Sequence, residues 1–154
     1  MESMNQRVVG IVIKDDAILL VHRLKNNKEY YVFPGGGVEE NESLESALIR
    51  EIKEELSLDV TKSRLLFQLS NQLREQYGGH VIGYPNEHYF LIEHCSGTPE
   101  LGGPEKDRMN DTNQYFLEWI AIDHLKDMAN LYPQEAVQQL LMLMQTEILT
   151  SELS

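Results

Sequence analysis

The sequence has few of the features that mark secreted, membrane or disulfide-rich proteins. Its 154 residues include one cysteine, Cys95, so no disulfide can form within the chain. No apolar run approaches the roughly 20 residues that a membrane-spanning helix needs. The first residues lack the basic segment followed by an apolar one that a secretory signal has. These absences predict a single cytoplasmic domain over residues 1–154.

Positive charge is scarce as well. The chain has 13 Lys and Arg against 25 Asp and Glu, and its formal net charge is −12. A protein that binds a long nucleic acid needs a basic surface for the phosphate backbone, so this class of partner is not expected. A small phosphorylated substrate remains compatible with an acidic protein, because divalent cations neutralise both the site and the substrate.

The order of apolar and polar segments predicts a mixed α/β fold. Two β-rich runs, 7–13 and 17–23, flank a short polar segment and are expected to form a hairpin. Helices are expected at 43–56 and 134–149, where apolar residues recur at helical spacing. Further strands are expected at 29–33, 64–70, 87–95 and 115–122. The polar connection 96–114 is long for a loop without a function.

The helix over 43–56 carries acidic side chains where they are costly. Glu51, Glu54 and Glu55 are spaced i, i+3 and i+4, so their carboxylates converge on one face that borders the apolar stripe. The partial negative charge of the helix C-terminus adds to their repulsion. A hard divalent cation such as Mg²⁺ would compensate this charge. The spacing alone leaves open the alternative of an ordinary solvated glutamate face.

The segment around this helix resembles the Nudix box. Residues 36–58, GGVEENESLESALIREIKEELSL, place a glycine, a glutamate and the pattern Arg-Glu-x-x-Glu-Glu at the intervals of that motif. By this resemblance the chain is identified as a member of the Nudix hydrolase family, the MutT-like nucleotide pyrophosphohydrolases. One position departs, since Ser57 stands where the family has a glycine. That glycine is expected to be a left-handed helix C-cap, where serine costs about 1 kcal/mol but removes no ligand.

The resemblance implies both a fold and a chemistry. The fold would be an α/β/α sandwich, a mixed β-sheet with the box helix and a C-terminal helix on its faces. The activity would be hydrolysis of a phosphoanhydride bond in a nucleoside diphosphate linked to another group, with Mg²⁺ or Mn²⁺ as cofactor. The implied metal-binding residues are Glu51, Glu54, Glu55 and Gly36. The implied catalytic residues are Glu51, Glu54, Arg50 and Glu105, with Arg50 and Glu42 orienting the carboxylates.

The general base and the substrate contacts are less closely fixed by the motif. Glu105, in the connection 96–114, is the favoured base, with Glu100 and Glu118 as alternatives. The expected substrate-binding residues are Arg23, Gly35, Gly36, Gly37 and Trp119. Tyr77 and Tyr84 are further candidates for stacking on a base. The five histidines have no metal-ligand spacing and are interpreted as incidental.

Three functions remain open at this point. A nucleoside triphosphate or related small nucleotide is the favoured substrate. ADP-ribose or a dinucleoside polyphosphate is the alternative, although the proline or tyrosine that often marks such relatives is replaced by Leu73, Arg74 and Glu75. A non-catalytic nucleotide-sensing domain is the third, but such domains usually lose box glutamates, which this chain keeps. A homodimer is compatible with the family, and no membrane partner is expected.

Overall fold

The structure, a computed structural model, shows a chain built mainly from β-strands. It describes residues 6–70, 86–102, 106 and 109–154, and the backbone alone of 75–77 and 80–82. The strands are β1 Gln6–Ile11, β2 Ile13–Lys14, β3 Ala17–Lys25, β4 Lys28–Val32, β5 Gly35–Gly37, β6 Asp59–Ser70, β7 Glu75–Tyr77, β8 His80–Ile82, β9 Asn86–Ser96, β10 Asn113–Ala121, β11 Leu131–Tyr132 and β12 Glu152–Leu153. The helices are α1 Leu44–Leu56, a 3-10 helix Ile122–Asp127 and α2 Gln134–Leu143.

Two mixed five-stranded sheets form the body of the described structure. The first has the order β12-β9-β1-β5, with β6 also paired to β9. The second has the order β10-β3-β4-β11, with β2 paired to β3. The expected fold class, a mixed β-sheet with helices on its faces, is therefore confirmed. The strands are divided between two sheets and do not form a single one.

The predicted hairpin between the runs 7–13 and 17–23 is confirmed only for the end of the first run. Strand β1 ends at Ile11 and pairs in parallel with β9 and antiparallel with β5, in the first sheet. Ile13 instead pairs with Ile18 in the second sheet, across a turn at Asp15 and Asp16 that both have positive φ. Such paired left-handed residues make the tight turn that closes a hairpin. The single residue between β1 and β2 carries the chain from one sheet to the other.

Two buried apolar clusters lie on opposite sides of β1, because successive side chains of a strand alternate between its faces. Val9 and Ile11 belong to the cluster that also contains the buried side chains of α2. Val8 and Val12 belong to the cluster that contains the buried side chains of α1. The two helices thus cover different faces of the sheet system, as the sandwich requires.

Helix α1 is fixed closely against the first sheet. Its N-terminus is capped by Ser43, whose side chain accepts a hydrogen bond from the Ser46 amide at 3.1 Å. Its C-cap, Ser57, has φ 62° and ψ 27°, so the predicted left-handed conformation is confirmed. A Cβ on Gly10 of β1 would lie 2.5 Å from Cδ1 of Ile52, which shows how near the helix approaches the strand.

Several other boundaries differ from the sequence expectations. The three glycines after the expected strand 29–33 form a further strand, β5, and β6 begins at Asp59, before the expected residue 64. Helix α2 ends at Leu143, before the expected residue 149. Strands of two or three residues have no periodicity to detect, and their pairing depends on distant segments. Among the described residues no helix has the length and apolarity to cross a membrane.

Candidate active site

The three box carboxylates differ in their surroundings. Glu55 is buried, and its Oε1 accepts a hydrogen bond from the Gly35 amide at 2.8 Å. The Glu51 side chain is 17% exposed and that of Glu54 is 46% exposed. Helix α1 therefore holds the Glu51 and Glu55 carboxylates against β5 and directs that of Glu54 toward solvent. All three lie at the edge of the apolar cluster that contains the buried side chains of α1.

Gly36 makes room for the Glu51 carboxylate. A Cβ at position 36 would lie 2.1 Å from Glu51 Oε1, well inside van der Waals contact. A Cβ at Gly37 would have its nearest neighbour, the carbonyl oxygen of Gln6, at 4.0 Å. Glycine at position 36 is thus required by the packing of Glu51, whereas the described residues leave space for a side chain at position 37.

Arg50 joins the loop before α1 to the helix carboxylates. Its Nε and Nη2 donate to the two oxygens of Glu42, each at 2.8 Å, and its Nη1 donates to Glu51 Oε2 at 2.7 Å. Nη2 also donates to the Gly37 carbonyl at 3.0 Å. These hydrogen bonds lower the pKa of Glu42 to about 2, so this carboxylate stays ionised as the anchor of Arg50. The contacts agree with the orienting role expected of Arg50 and Glu42.

Positive charge at the site is limited. Burial raises the pKa of the Glu51 carboxyl, and the hydrogen bond from Arg50 opposes this rise. Lys53, the other basic residue of α1, pairs with Asp59 at 3.0 Å. Arg7 of β1, which the sequence interpretation missed, also lowers the pKa of Glu51 and donates to the Phe33 carbonyl at 3.0 Å. Only the register that sets Arg7 opposite Gly37 reveals its place beside the site.

The carboxylates fit a divalent cation that brings some of its own ligands. Within the described part of the chain, no three acidic, histidine or cysteine side chains already surround a common point. Two of the three carboxylates are bound to Arg50 and to Gly35. Mg²⁺ commonly keeps several waters and takes few carboxylates together with substrate phosphates. The oxygen donors of Glu51, Glu54 and Glu55 suit that kind of coordination.

The polar connection after β9 is tied to the end of α1. The Ser57 hydroxyl donates to the Glu100 carbonyl at 2.9 Å, and the Glu100 amide donates to the Leu56 carbonyl at 2.9 Å. The Gly102 amide donates to the carbonyl of Glu55 at 3.3 Å. The first part of the connection therefore lies along the acidic end of the helix. Glu105, the favoured base, lies outside the described residues.

Glu118 and Trp119 lie on β10, in the second sheet. Glu118 Oε1 is 3.0 Å from Nδ1 of His22, whose Nε2 is 2.8 Å from Glu29 Oε2, so this histidine links three strands and is not incidental. Trp119 lines a cleft of about 500 Å³. None of the residues lining that cleft comes from the box. The roles of Glu118 and Trp119 stay predictions, and the side chains of Tyr77 and Tyr84 lie outside the described residues.

Arg23 occupies the face of β3 opposite to that of its neighbour His22. Its Nη2 donates to Asn113 Oδ1 at 2.9 Å and to the Tyr115 hydroxyl at 2.8 Å. Its guanidinium carbon lies 4.2 Å from the ring centroid of Tyr115 and 5.4 Å from that of Tyr30. The expected substrate-binding arginine is therefore held between two aromatic rings.

The comparisons with known proteins agree with this fold. The family model described as NUDIX domain matches residues 4–140. An ADP-ribose pyrophosphatase from Methanocaldococcus jannaschii is 38% identical over 122 residues, covering 77% of this chain and 68% of that one. An 8-oxo-dGTP diphosphatase from Buchnera aphidicola is 32% identical over 124 residues, covering 77% and 78%. The solved structure of a MutT protein from Methanosarcina mazei has a TM-score of 0.66 at 18% identity, covering 91% and 92%.

The fold, the carboxylate-bearing helix and these matches define the class of protein as a Nudix hydrolase. The chain belongs to the NUDIX domain family, as the box residues predicted. The relatives named above differ in the substrate that their names give, so the family does not by itself select one nucleotide.

Proposed function

We propose that this protein is a Mg²⁺-dependent pyrophosphohydrolase that cleaves the phosphoanhydride bond of a nucleoside diphosphate linked to another group. Nucleoside triphosphates and related small nucleotides are the favoured substrates. The observation that carries the proposal is the concentration of acidic side chains against β5, where Glu55 is buried and Glu51 is largely covered. Such carboxylates need a cation when a negatively charged phosphate binds beside them.

The residues assigned to the site have four roles in this proposal. Glu51, Glu54 and Glu55 hold the metal, which when bound lowers the pKa of a water and neutralises charge on the phosphates. Arg50 keeps Glu51 in place through its contacts with Glu42 and Glu51. Gly35, Gly36 and Gly37 allow close approach of the backbone to phosphate, because no side chain intervenes. Glu105 is the proposed acceptor of the proton from water.

ADP-ribose is the second candidate substrate. It is favoured by the 38% identity to a protein named ADP-ribose pyrophosphatase. A turnover screen with Mg²⁺ over dGTP, 8-oxo-dGTP, ADP-ribose and a diadenosine polyphosphate distinguishes the candidates by kcat/KM. The same proposal includes a cytoplasmic location, supported by the buried free thiol of Cys95.

The experiment that tests the proposal replaces single metal ligands. Glu54→Gln and Glu55→Gln should each lower kcat by about 10³ or more, because each removes a charged ligand while keeping the shape of the side chain. Glu45→Gln is the matched control, since Glu45 lies exposed in the first turn of the same helix. Near-wild-type turnover in both site variants would contradict the metal assignment.

A further inference from the structure

The surroundings of Arg23 combine aromatic contact with neutral hydrogen-bond acceptors. Both bonds that Nη2 donates go to uncharged oxygens, those of Asn113 and Tyr115. In the described part of the chain, no carboxylate lies within ion-pair distance of Arg23, whereas Arg7, Arg50 and Arg64 each have at least one. An arginine with only neutral partners keeps its full charge for an incoming anion.

The aromatic rings also restrict how a ligand can reach Arg23. Tyr115 and Tyr30 lie against the guanidinium at 4.2 and 5.4 Å, so they occupy space that a stacking base would need. The Nε atom is buried and has no hydrogen-bond partner among the described residues. With both hydrogens of Nη2 engaged and Nε buried, Nη1 is the nitrogen left to donate to a ligand. A charged N–H donor of this kind suits an oxygen of a phosphate.

Arg23 is also well placed relative to the carboxylates. It pairs with Tyr30 of β4, and that strand continues through Phe33 into the glycines of β5. Five residues of extended chain separate Tyr30 from Gly35, a span of at most roughly 17 Å. The backbone beside Arg23 therefore lies no farther from the box than about this distance.

We propose that Tyr115 and Asn113 are positioning residues that hold Arg23 with Nη1 toward the substrate and leave its charge free for a phosphate group. This inference rests on the proposed function, because it assigns a specificity element to the same site. Tyr115 contributes both a hydroxyl acceptor and a ring, and Asn113 contributes an amide oxygen without charge. Neither residue needs to touch the substrate.

The first experiment removes the tyrosine hydroxyl alone. Tyr115→Phe keeps the ring over Arg23 but loses one acceptor, so KM for the best substrate of the screen should rise about five- to thirtyfold. The value of kcat should stay within about threefold, because the chemistry at the box is untouched. Titrations with AMP and dGMP, which have no phosphoanhydride bond, should show the same loss of affinity by calorimetry.

Tyr31→Phe is the matched control for this variant. Tyr31 lies on β4, beside the strand of Arg23, its side chain faces the other side of the same sheet, and the variant likewise removes only a tyrosine hydroxyl. KM and the affinity for AMP and dGMP should not change. Equal shifts in the two variants, or no shift in Tyr115→Phe, would overturn the inference.

The second experiment separates positioning from simple structural support. Asn113→Asp keeps an oxygen acceptor at the same place but adds a carboxylate beside Arg23. The melting temperature should hold or rise because an ion pair replaces a neutral contact, yet affinity for AMP and dGMP should fall at least tenfold. Tight binding by this variant would overturn the inference, and its result decides the matter if Tyr115→Phe does not fold. Absence of wild-type turnover on every nucleotide would instead reject the proposed function.

Discussion

Gly36 and Glu51 show how one missing side chain defines the site. The carboxylate occupies the space that a Cβ at position 36 would take, at 2.1 Å from Oε1. Glu51 in turn accepts from Arg50, which is anchored by Glu42. A methyl group at position 36 would therefore displace not only Glu51 but also the arginine that orients it.

We predict that Gly36→Ala lowers kcat by about 10² or more, because a displacement of about 1 Å at a catalytic group has effects of this size. Gly37→Ala is the comparison, since its Cβ would have 4.0 Å of clearance. Its loss of kcat should be at least tenfold smaller. Steady-state kinetics on both variants, with circular dichroism to verify folding, make the measurement. Equal losses of kcat in the two variants would show that the clash with Glu51 is not the reason for glycine at position 36.

The junction between α1 and the following connection is the main point at the scale of elements. Ser57 has the left-handed backbone that favours glycine, but its hydroxyl donates to the carbonyl of Glu100. Serine at this position therefore offsets part of its backbone strain by fastening residues 97–102 to the helix end. The departure from the family pattern is compensated locally.

We predict that Ser57→Gly and wild type have similar free energies of unfolding, within about 0.5 kcal/mol, because relief of backbone strain and loss of a hydrogen bond offset each other. Ser57→Ala loses the bond and keeps the strain, so it should be about 1 kcal/mol less stable than Ser57→Gly. Urea denaturation of the three proteins tests this order. An alanine variant as stable as the glycine variant would mean that the left-handed cap is not costly.

The same connection carries the prediction for the general base. Glu105→Gln should lower kcat by about 10²–10⁴ and leave KM within a few-fold, as expected for an interaction made mainly in the transition state. Glu118→Gln should change kcat little, because its carboxylate is engaged with His22. Glu100→Gln is the control within the connection. Loss of activity in Glu118→Gln with full activity in Glu105→Gln would place the base in the second sheet.

The sequence predicted elements with their own periodicity better than elements defined by distant partners. Helix α1, its Ser57 cap and the core of the long strands follow from local spacing and were expected. The short strands β5, β11 and β12 carry no such signal, because two or three residues complete no period. At the site, the box residues were found from their spacing. Arg7 was missed, because only the pairing of β1 with β5 brings it there.

Charge is the property that matters at the scale of the whole molecule. A net charge of −12 means that any cation screens some repulsion, so specific metal binding must be separated from general screening. We predict that MgCl₂ raises the melting temperature of the wild type more than NaCl of equal ionic strength does, because a ligand of the folded state stabilises it. Glu55→Gln should lose that difference. An equal response of both proteins would mean that Mg²⁺ acts only as a salt.

The parallel pairing of β1 with β9 has a consequence for how the box can be used. Gln6 lies opposite Asn86, so the strand that supports β5 is itself supported by residues 80 positions away. Gly35 pairs with Val9 of β1, and Glu55 is held by the Gly35 amide. A synthetic peptide of residues 35–58 would contain Gly35 and Glu55 but would lack β1 and β9, which hold β5 in place. The motif would therefore not form the same site in another protein. The transferred residues would include the metal ligands but not the strands that position them. Its assembly during folding must wait for contacts of high sequence separation, which form slowly.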